Sequence, residues 1–295
     1  MRISILIITH NRGDDLKICL DSLVKQSRKA DEVVIIDNGS TGGTKSVIDF
    51  FKDKLPIKYF YESTSSIPKS RNMSLREASG DILAILDDDC IVENDWTENI
   101  EFYHRKYQAV AIIQGRVIPL EASSLVGKTY IAAAEAYIER NFFAGKSQDS
   151  EVELPRIING FISLKKEEVN RLGIYFKEEF PFFSDKEFGI RLQKIGTKVL
   201  YAPSILIYHK YKFKSFFALF VRYFRMGRID SKLKKIYGSF EINPGLSQLY
   251  QTAAVIMADK RVRYMAKIIM VSAYVLRSIS YAIGYCYQNL RHWFK

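Results

Sequence analysis

Three consecutive carboxylates, Asp87, Asp88 and Asp89, follow directly on the apolar run Ile82-Leu-Ala-Ile-Leu86. Like charges at that spacing repel one another unless something positive neutralises them, and a set of oxygen ligands suits a hard divalent cation that also holds substrate phosphates. In an extended chain Asp87 and Asp89, two positions apart, turn to one side and can address the same ion. A solvated acidic turn at a strand end is the competing reading. Ahead of the triplet come Thr9, Asn11 and Arg12, which offer a hydroxyl, an amide and a guanidinium. Asp37 and Asn38 run into Gly39-Ser40-Thr41-Gly42-Gly43, and Arg71 carries a planar fork that suits a phosphate or a base. Asn38 can both accept from and donate to a base edge, and the glycines let backbone approach a ligand closely. Ordinary turn and cap chemistry uses the same residue types. No G-x-G-x-x-G is present, so the dinucleotide fingerprint is absent.

The elements that must hold these groups follow from the apolar pattern. Ile3 to Thr9, Val33 to Ile36 and Ile82 to Leu86 read as strands buried on both faces. Between them, Asp14 to Gln26 places Leu16, Cys19, Leu20, Leu23 and Val24 at helical spacing, a helix is expected over Thr44 to Phe51, and a short strand over Ile57 to Tyr61. Strand alternating with helix at this pace predicts an α/β fold with a doubly wound sheet, and ligands of such sheets bind at the carboxyl ends of the strands. Thr9, Asp37 and Asp87 all stand at such ends.

The chain has 295 residues, 47% of them hydrophobic, enough for one large domain or one with an appendage. Its net charge of +11 is uneven. Residues 1–200 carry 28 basic and 30 acidic side chains, whereas residues 201–295 carry 16 basic and 3 acidic. The whole excess belongs to the last third, which therefore suits an anionic surface. No signal peptide is expected ahead of the first strand. Three cysteines, Cys19, Cys90 and Cys286, show neither a disulfide framework nor a zinc pattern, which makes a reducing cytoplasmic setting the default.

Taken together, Ile5 to Arg12, Val33 to Thr44, Lys69 to Trp96 and Asn159 to His209 resemble the nucleotide-diphospho-sugar glycosyltransferases of family 2, which have the GT-A fold. The resemblance covers about residues 1–210. It implies a GT-A type doubly wound mixed sheet flanked by helices, with residues 1–100 as the nucleotide-sugar half and 101–210 as the acceptor half. Thr9, Asn11, Arg12, Asp37, Asn38, Arg71, Asp87 and Asp88 would then line the donor nucleotide pocket, Asp88 near the ribose. Asp89, with Asp87, would hold Mn2+ or Mg2+. Ile8, His10 and Asn38 depart from the family pattern, and Asn38, standing where aspartate often faces uracil, leaves uridine or thymidine diphosphate open as the donor.

The acceptor half is less legible. A strand is expected over Ala109 to Val117, a helix over Lys128 to Phe143, and a strand broken by Gly160 over Ile157 to Leu164. In Phe180-Pro-Phe-Phe-Ser-Asp-Lys-Glu-Phe, Asp185 opens a helix whose dipole favours its charged form. An N-cap is the structural alternative. By the resemblance Asp185 is the catalytic base, Asn159, Gly160 and Glu187 meet the acceptor or sugar, and Ser184 replaces the glutamate that usually precedes the base. His209, at the end of a strand over Ser204 to Tyr208, would be a further metal ligand. A lone histidine is more commonly a packed side chain.

Residues 211–295 are expected to form a basic, aromatic amphipathic helical extension. Phe213, Phe216, Phe217, Phe220, Tyr223 and Phe224 interleave with Lys210, Lys212, Lys214, Arg222, Arg225 and Arg228. Val262 to Tyr287 is strongly apolar, with Arg263, Lys267 and Arg277 on one side of a helix, and contains no uninterrupted apolar run of about eighteen residues that would make a simple span. These features fit peripheral contact with the inner face of the cell membrane better than nucleic acid. The expected function is thus metal-dependent, inverting sugar transfer to a saccharide or lipid-linked acceptor in polysaccharide or glycolipid synthesis, with a homodimer compatible. A sugar nucleotidyltransferase and a non-enzymatic nucleotide or nucleic-acid binding module are the alternatives. The first would want a glycine-rich basic loop after the first strand, where only Gly13 stands.

Overall fold

The structure is a computed structural model that describes residues 1–120, 124–143, 145–211, 215–238, 257 and 264–290. It divides into two compact units: residues 1–118 with 147–209, and residues 119–146 with 210–295. The expected boundaries place 119–146 in the first domain, whereas its contacts place it in the second unit.

The first unit is built on β1 (Ile3–Thr9), β2 (Glu32–Asp37), β3 (Ile57–Tyr61), β4 (Ile82–Asp87), β5 (Cys90–Val92), β6 (Ile112–Pro119), β7 (Val152–Leu154), β8 (Ile162–Lys165) and β9 (Val199–His209). They form one mixed sheet in the order β3-β2-β1-β4-β8-β6-β9-β5, with β7 also paired to β9. The β3-β2-β1-β4 half is parallel, because each crossover carries a helix: α1 (Gly13–Val24), α2 (Thr44–Phe51) and α3 (Ile67–Glu77). Every residue of β1 from Ile3 to Ile7 is fully buried, as the unbroken β-branched run requires of a strand covered on both faces. Leu16, Leu20 and Leu23 of α1 join Ile5, Val33 and Leu86 in one core.

The far half of the sheet is antiparallel. β8 pairs with β4 and β6, and β5 pairs with β9. The expected strand over 157–164 shortens to β8, because residues 157–161 bend away from the ladder around Gln114. β9 is longer than expected, eleven residues running to His209. Helices α4 (Trp96–Lys106), α6 (Lys166–Leu172) and α7 (Ser184–Lys194) complete the unit.

At the strand-entry end Glu32 is a buried anchor. Its carboxylate accepts from Ser4 Oγ at 2.9 Å and from Ser79 N and Oγ at 2.9 and 2.6 Å, and pairs with Lys58. Burial opposes ionisation, but these donors outweigh it and hold the carboxyl down at about 2. Gly80 packs so tightly here that a Cβ would sit 2.8 Å from Ser4 N and 2.6 Å from Ser4 Oγ.

The second unit contains α5 (Leu125–Ile138), which runs into a π-turn at Glu139–Phe143, α8 (Phe216–Tyr237) and α9 (Tyr264–Leu290). Ser124 and Ser215 cap α5 and α8, accepting from Gly127 N and Ala218 N. α8 and α9 cross at two glycines. A Cβ on Gly227 would strike the carbonyl of Tyr281, and one on Gly284 the carbonyl of Phe224. Of the basic stripe expected along the last helix, Arg277 does not reach the surface, whereas Lys267 is part-exposed. Arg277 is buried, its guanidinium 4.1 Å from the ring centre of Tyr223 and 4.4 Å from that of Tyr274, while Arg263, like Lys212, Phe213 and Lys214, lies outside the described residues. Among the described residues no helix is long and apolar enough to cross a membrane.

Candidate active site

The carboxyl ends of β1, β2 and β4 converge, and their loops are tied to one another. Asn11 adopts a left-handed backbone (φ 52°), from which its amide oxygen accepts from Thr41 N at 2.9 Å while its own N–H donates to Ser40 Oγ at 2.9 Å. Asp37 accepts from Ser40 N at 2.9 Å and from Tyr59 O–H at 3.2 Å. Both its oxygens shape the β2 loop. Asn38 is buried, with its side-chain oxygen accepting from Ser70 Oγ at 3.0 Å and its carbonyl 2.8 Å from His10 Nδ1. Thr9 is buried beside Asp88.

β4 ends at Asp87, and a tight turn at Asp88 and Asp89 carries the chain into β5. The turn breaks strand alternation, so Asp87 parts from Asp88 and Asp89, which share Arg12. Asp87 faces Arg71, Oδ1 to Nη2 at 3.9 Å. Desolvation in the cleft pushes its carboxyl up, against the pull of Arg71 and His209 and with repulsion from Asp89 and Asp185. Asp88 is buried, and desolvation raises its carboxyl to about 6 despite Arg12. Arg12 Nη1 reaches Asp88 Oδ1 at 3.0 Å and Asp89 Oδ2 at 2.9 Å. Burial also opposes ionisation of Asp89, but contact with His209, reinforced by Arg12, holds its carboxyl below the usual range.

Antiparallel pairing of Cys90 with His209 brings the end of β9 to the acidic turn. His209 Nε2 lies 3.1 Å from Asp89 Oδ1, which makes no hydrogen bond. Two atoms bound to one small divalent ion at about 2.1 Å stand about 3 Å apart, so this pair fits a metal. The group that could hold an ion among the described residues is Asp89, Cys90 and His209. Burial pushes the Cys90 thiol well up, and a neutral thiol is a poor ligand for a hard cation. Asp87 stands outside this group and faces Arg71.

The facing wall comes from α3, the bend at 157–161 and the start of α7. Arg71 Nη1 donates to Ser184 Oγ at 2.9 Å, linking the end of β4 to the first turn of α7. Phe183 enters that helix with a left-handed backbone (φ 55°), an unusual conformation for a bulky residue, and Asp185 sits in the helix's first turn. Gly160 packs here, where a Cβ would lie 3.3 Å from Arg71 Nη2 and 3.9 Å from Asp185 Cβ. The bend is held by Gln114, which donates from Nε2 to Asn159 Oδ1 and Phe161 O, both at 2.9 Å, and accepts at Oε1 from Ile158 N at 3.0 Å. Gln114 and Ser70 act on the site through other residues, and nothing in their local sequence marks them. Glu187 is a further correction. It is fully buried and paired with Arg191 at 3.1 Å and Lys177 at 3.8 Å, so it anchors α7 instead of meeting an acceptor.

Residues 4–171 match the family model described as glycosyl transferase family 2. The chain belongs to that family. Glycosyltransferase AglE of Haloferax volcanii is 26% identical over 234 residues, covering 77% of this chain and 72% of AglE. Two solved structures share the fold of this family 2 chain. Mannosyltransferase PcManGT from Pyrobaculum calidifontis, in complex with GDP-Man and Mn2+, superposes with a TM-score of 0.62 at 17% identity, covering 98% of this chain and 87% of its own. TarS 1-349 of S. aureus, in complex with UDP-GlcNAc, gives 0.58 at 16%, covering 95% and 73%. The sheet is thus a GT-A fold, and this family 2 protein is a glycosyltransferase.

Proposed function

We propose that this chain transfers a sugar from a nucleoside diphosphate, uridine or thymidine, to a hydroxyl of a saccharide or lipid-linked acceptor by a single displacement with inversion. The observation that carries the proposal is the pairing of two walls. The Asp89 and His209 pair stands at the mouth of β4, and Asp185 lies in the first turn of α7 beside Ser184, whose hydroxyl accepts from the same Arg71 that faces Asp87. Solved relatives of the same fold hold UDP-GlcNAc in one case and GDP-Man with Mn2+ in another, which supports a nucleotide-sugar donor here.

Asn38 and Thr9 would frame the base, Asp88 the ribose, and Arg12 and Arg71 the diphosphate. Asp89 and His209 would hold the divalent cation, which supplies charge neutralisation to the departing diphosphate. Asp185 takes the proton from the acceptor hydroxyl as that oxygen bonds to the anomeric carbon. The bond from that carbon to the diphosphate oxygen breaks, and its electron pair leaves with the nucleoside diphosphate. One base with no covalent nucleophile gives inversion.

A panel of nucleotide sugars assayed for hydrolysis with and without Mn2+ tests the proposal. Hydrolysis of a uridine or thymidine donor, abolished by chelation, is the expected result. Turnover that survives complete chelation, or no turnover of any donor with any divalent ion, would overturn it.

A further inference from the structure

The last helix of the second unit buries one face and leaves an apolar stripe exposed on another. The face of α9 packed on α8 carries Arg277, Ser280 and Gly284, with Ser280 Oγ donating to Phe220 O at 2.7 Å and Tyr281 O–H to Asp230 Oδ2 at 2.8 Å. The opposite face presents Ile268, Leu276, Ile279, Ile283 and Tyr287, each between 40 and 57% exposed. At 100° per residue these five fall within a third of the helix circumference, in a stripe about 28 Å long. An apolar stripe of that length left facing water is unfavourable and marks an interaction surface.

We infer that this outer face of α9 docks on a bilayer containing anionic lipid, with the helix lying in the plane of the interface. The charge of the region selects that occupant. Residues 201–295 carry 16 basic and 3 acidic side chains, and one of the three acids, Asp230, is buried. A second copy would set one strongly basic unit against another, whereas an anionic headgroup layer complements it. An apolar helix face within a unit of strongly basic composition is the combination that holds a helix at an anionic interface, and among the described residues no helix is long and apolar enough to cross a membrane. The inference does not depend on the transfer reaction, since it concerns residues remote in sequence from every proposed site group.

The test uses the full chain and vesicles of phosphatidylcholine with and without phosphatidylglycerol. Of the three free thiols only Cys286 is exposed, so a polarity-sensitive fluorophore placed there reports the surroundings of α9. The expected result is flotation with the anionic vesicles, accompanied by a blue shift of the label. Leu276→Glu with Ile279→Glu should weaken flotation by at least about tenfold while donor hydrolysis in solution is unchanged. Lys234→Glu with Lys235→Glu, on the exposed end of α8, should weaken it less and make the remainder insensitive to phosphatidylglycerol. Wild-type chain that fails to float overturns the inference. So does the α9 variant floating normally, or a dimer in light scattering that this variant dissolves without any loss of flotation.

Discussion

Removing Arg12 should affect metal and donor in opposite directions. The guanidinium pairs with Asp88 and Asp89 at 3.0 and 2.9 Å, so it already supplies positive charge at the place proposed for the cation. A divalent ion between Asp89 and His209 would lie within roughly 5 Å of that guanidinium, where a +1 and a +2 charge repel by about 2–3 kcal/mol at an effective dielectric of 40–80. Half of the Arg12 side chain is exposed, and salt screens the pair further, leaving about 1–2 kcal/mol. Arg12→Ala should therefore bind Mn2+ alone about 5–30-fold more tightly. The same variant should bind the nucleoside diphosphate more weakly, because a diphosphate contact is lost. Isothermal titration with Mn2+ alone and with the diphosphate at saturating Mn2+ separates the two effects. Unchanged or weaker Mn2+ binding in Arg12→Ala would refute the electrostatic reasoning.

Three further perturbations follow from the same geometry. Asp185→Asn should lower transfer by about 10²–10⁴-fold with donor affinity nearly unchanged, measured as initial rates beside equilibrium binding; normal turnover would remove Asp185 from the role of base. Glu32, held at about 2 in the folded chain against 4.5 for a free side chain, contributes stability above pH 4.5 that is lost as pH falls from 4.5 towards 2. Glu32→Gln should thus cost on the order of 3 kcal/mol at neutral pH, with variant and wild type converging towards pH 2 in denaturant titrations, and parallel curves would contradict the pairing. Gly80→Ala should destabilise by about 2–3 kcal/mol, because the new methyl meets the backbone nitrogen of Ser4 and cannot be relieved by a rotamer change; an unchanged unfolding midpoint would count against that packing.

The parallel half of the sheet was legible because its strands are buried on both faces and read as unbroken apolar runs. β1 and β3 fall on their expected residues, as does α2. The acidic turn was legible for the same reason, since charge following such a run marks a strand's carboxyl end. What local pattern does not carry is which side of an element faces inward. Glu187 and Arg191 stand four apart and pair, but only the packing of α7 shows that the pair points into the core. Of the basic residues expected to share one side of the last helix, Arg277 is covered by Tyr223 and Tyr274. The divergence of Asp87 from Asp89 depends on the turn into β5, and the match of Asp89 with His209 on a pairing between segments over a hundred residues apart. Contacts of that kind, like those that gather residues 119–146 with the final helices, arise only once the chain has folded.

The central claim is that Asp89 and His209 hold the catalytic cation across the cleft from Asp185. Anomalous diffraction from crystals grown with Mn2+ and the nucleoside diphosphate tests it directly. The predicted result is a single strong manganese peak about 2.0–2.3 Å from Asp89 Oδ1 and His209 Nε2, with the diphosphate on its open side facing α7. A bound diphosphate with no manganese at that pair, or a peak ligated elsewhere, would contradict it.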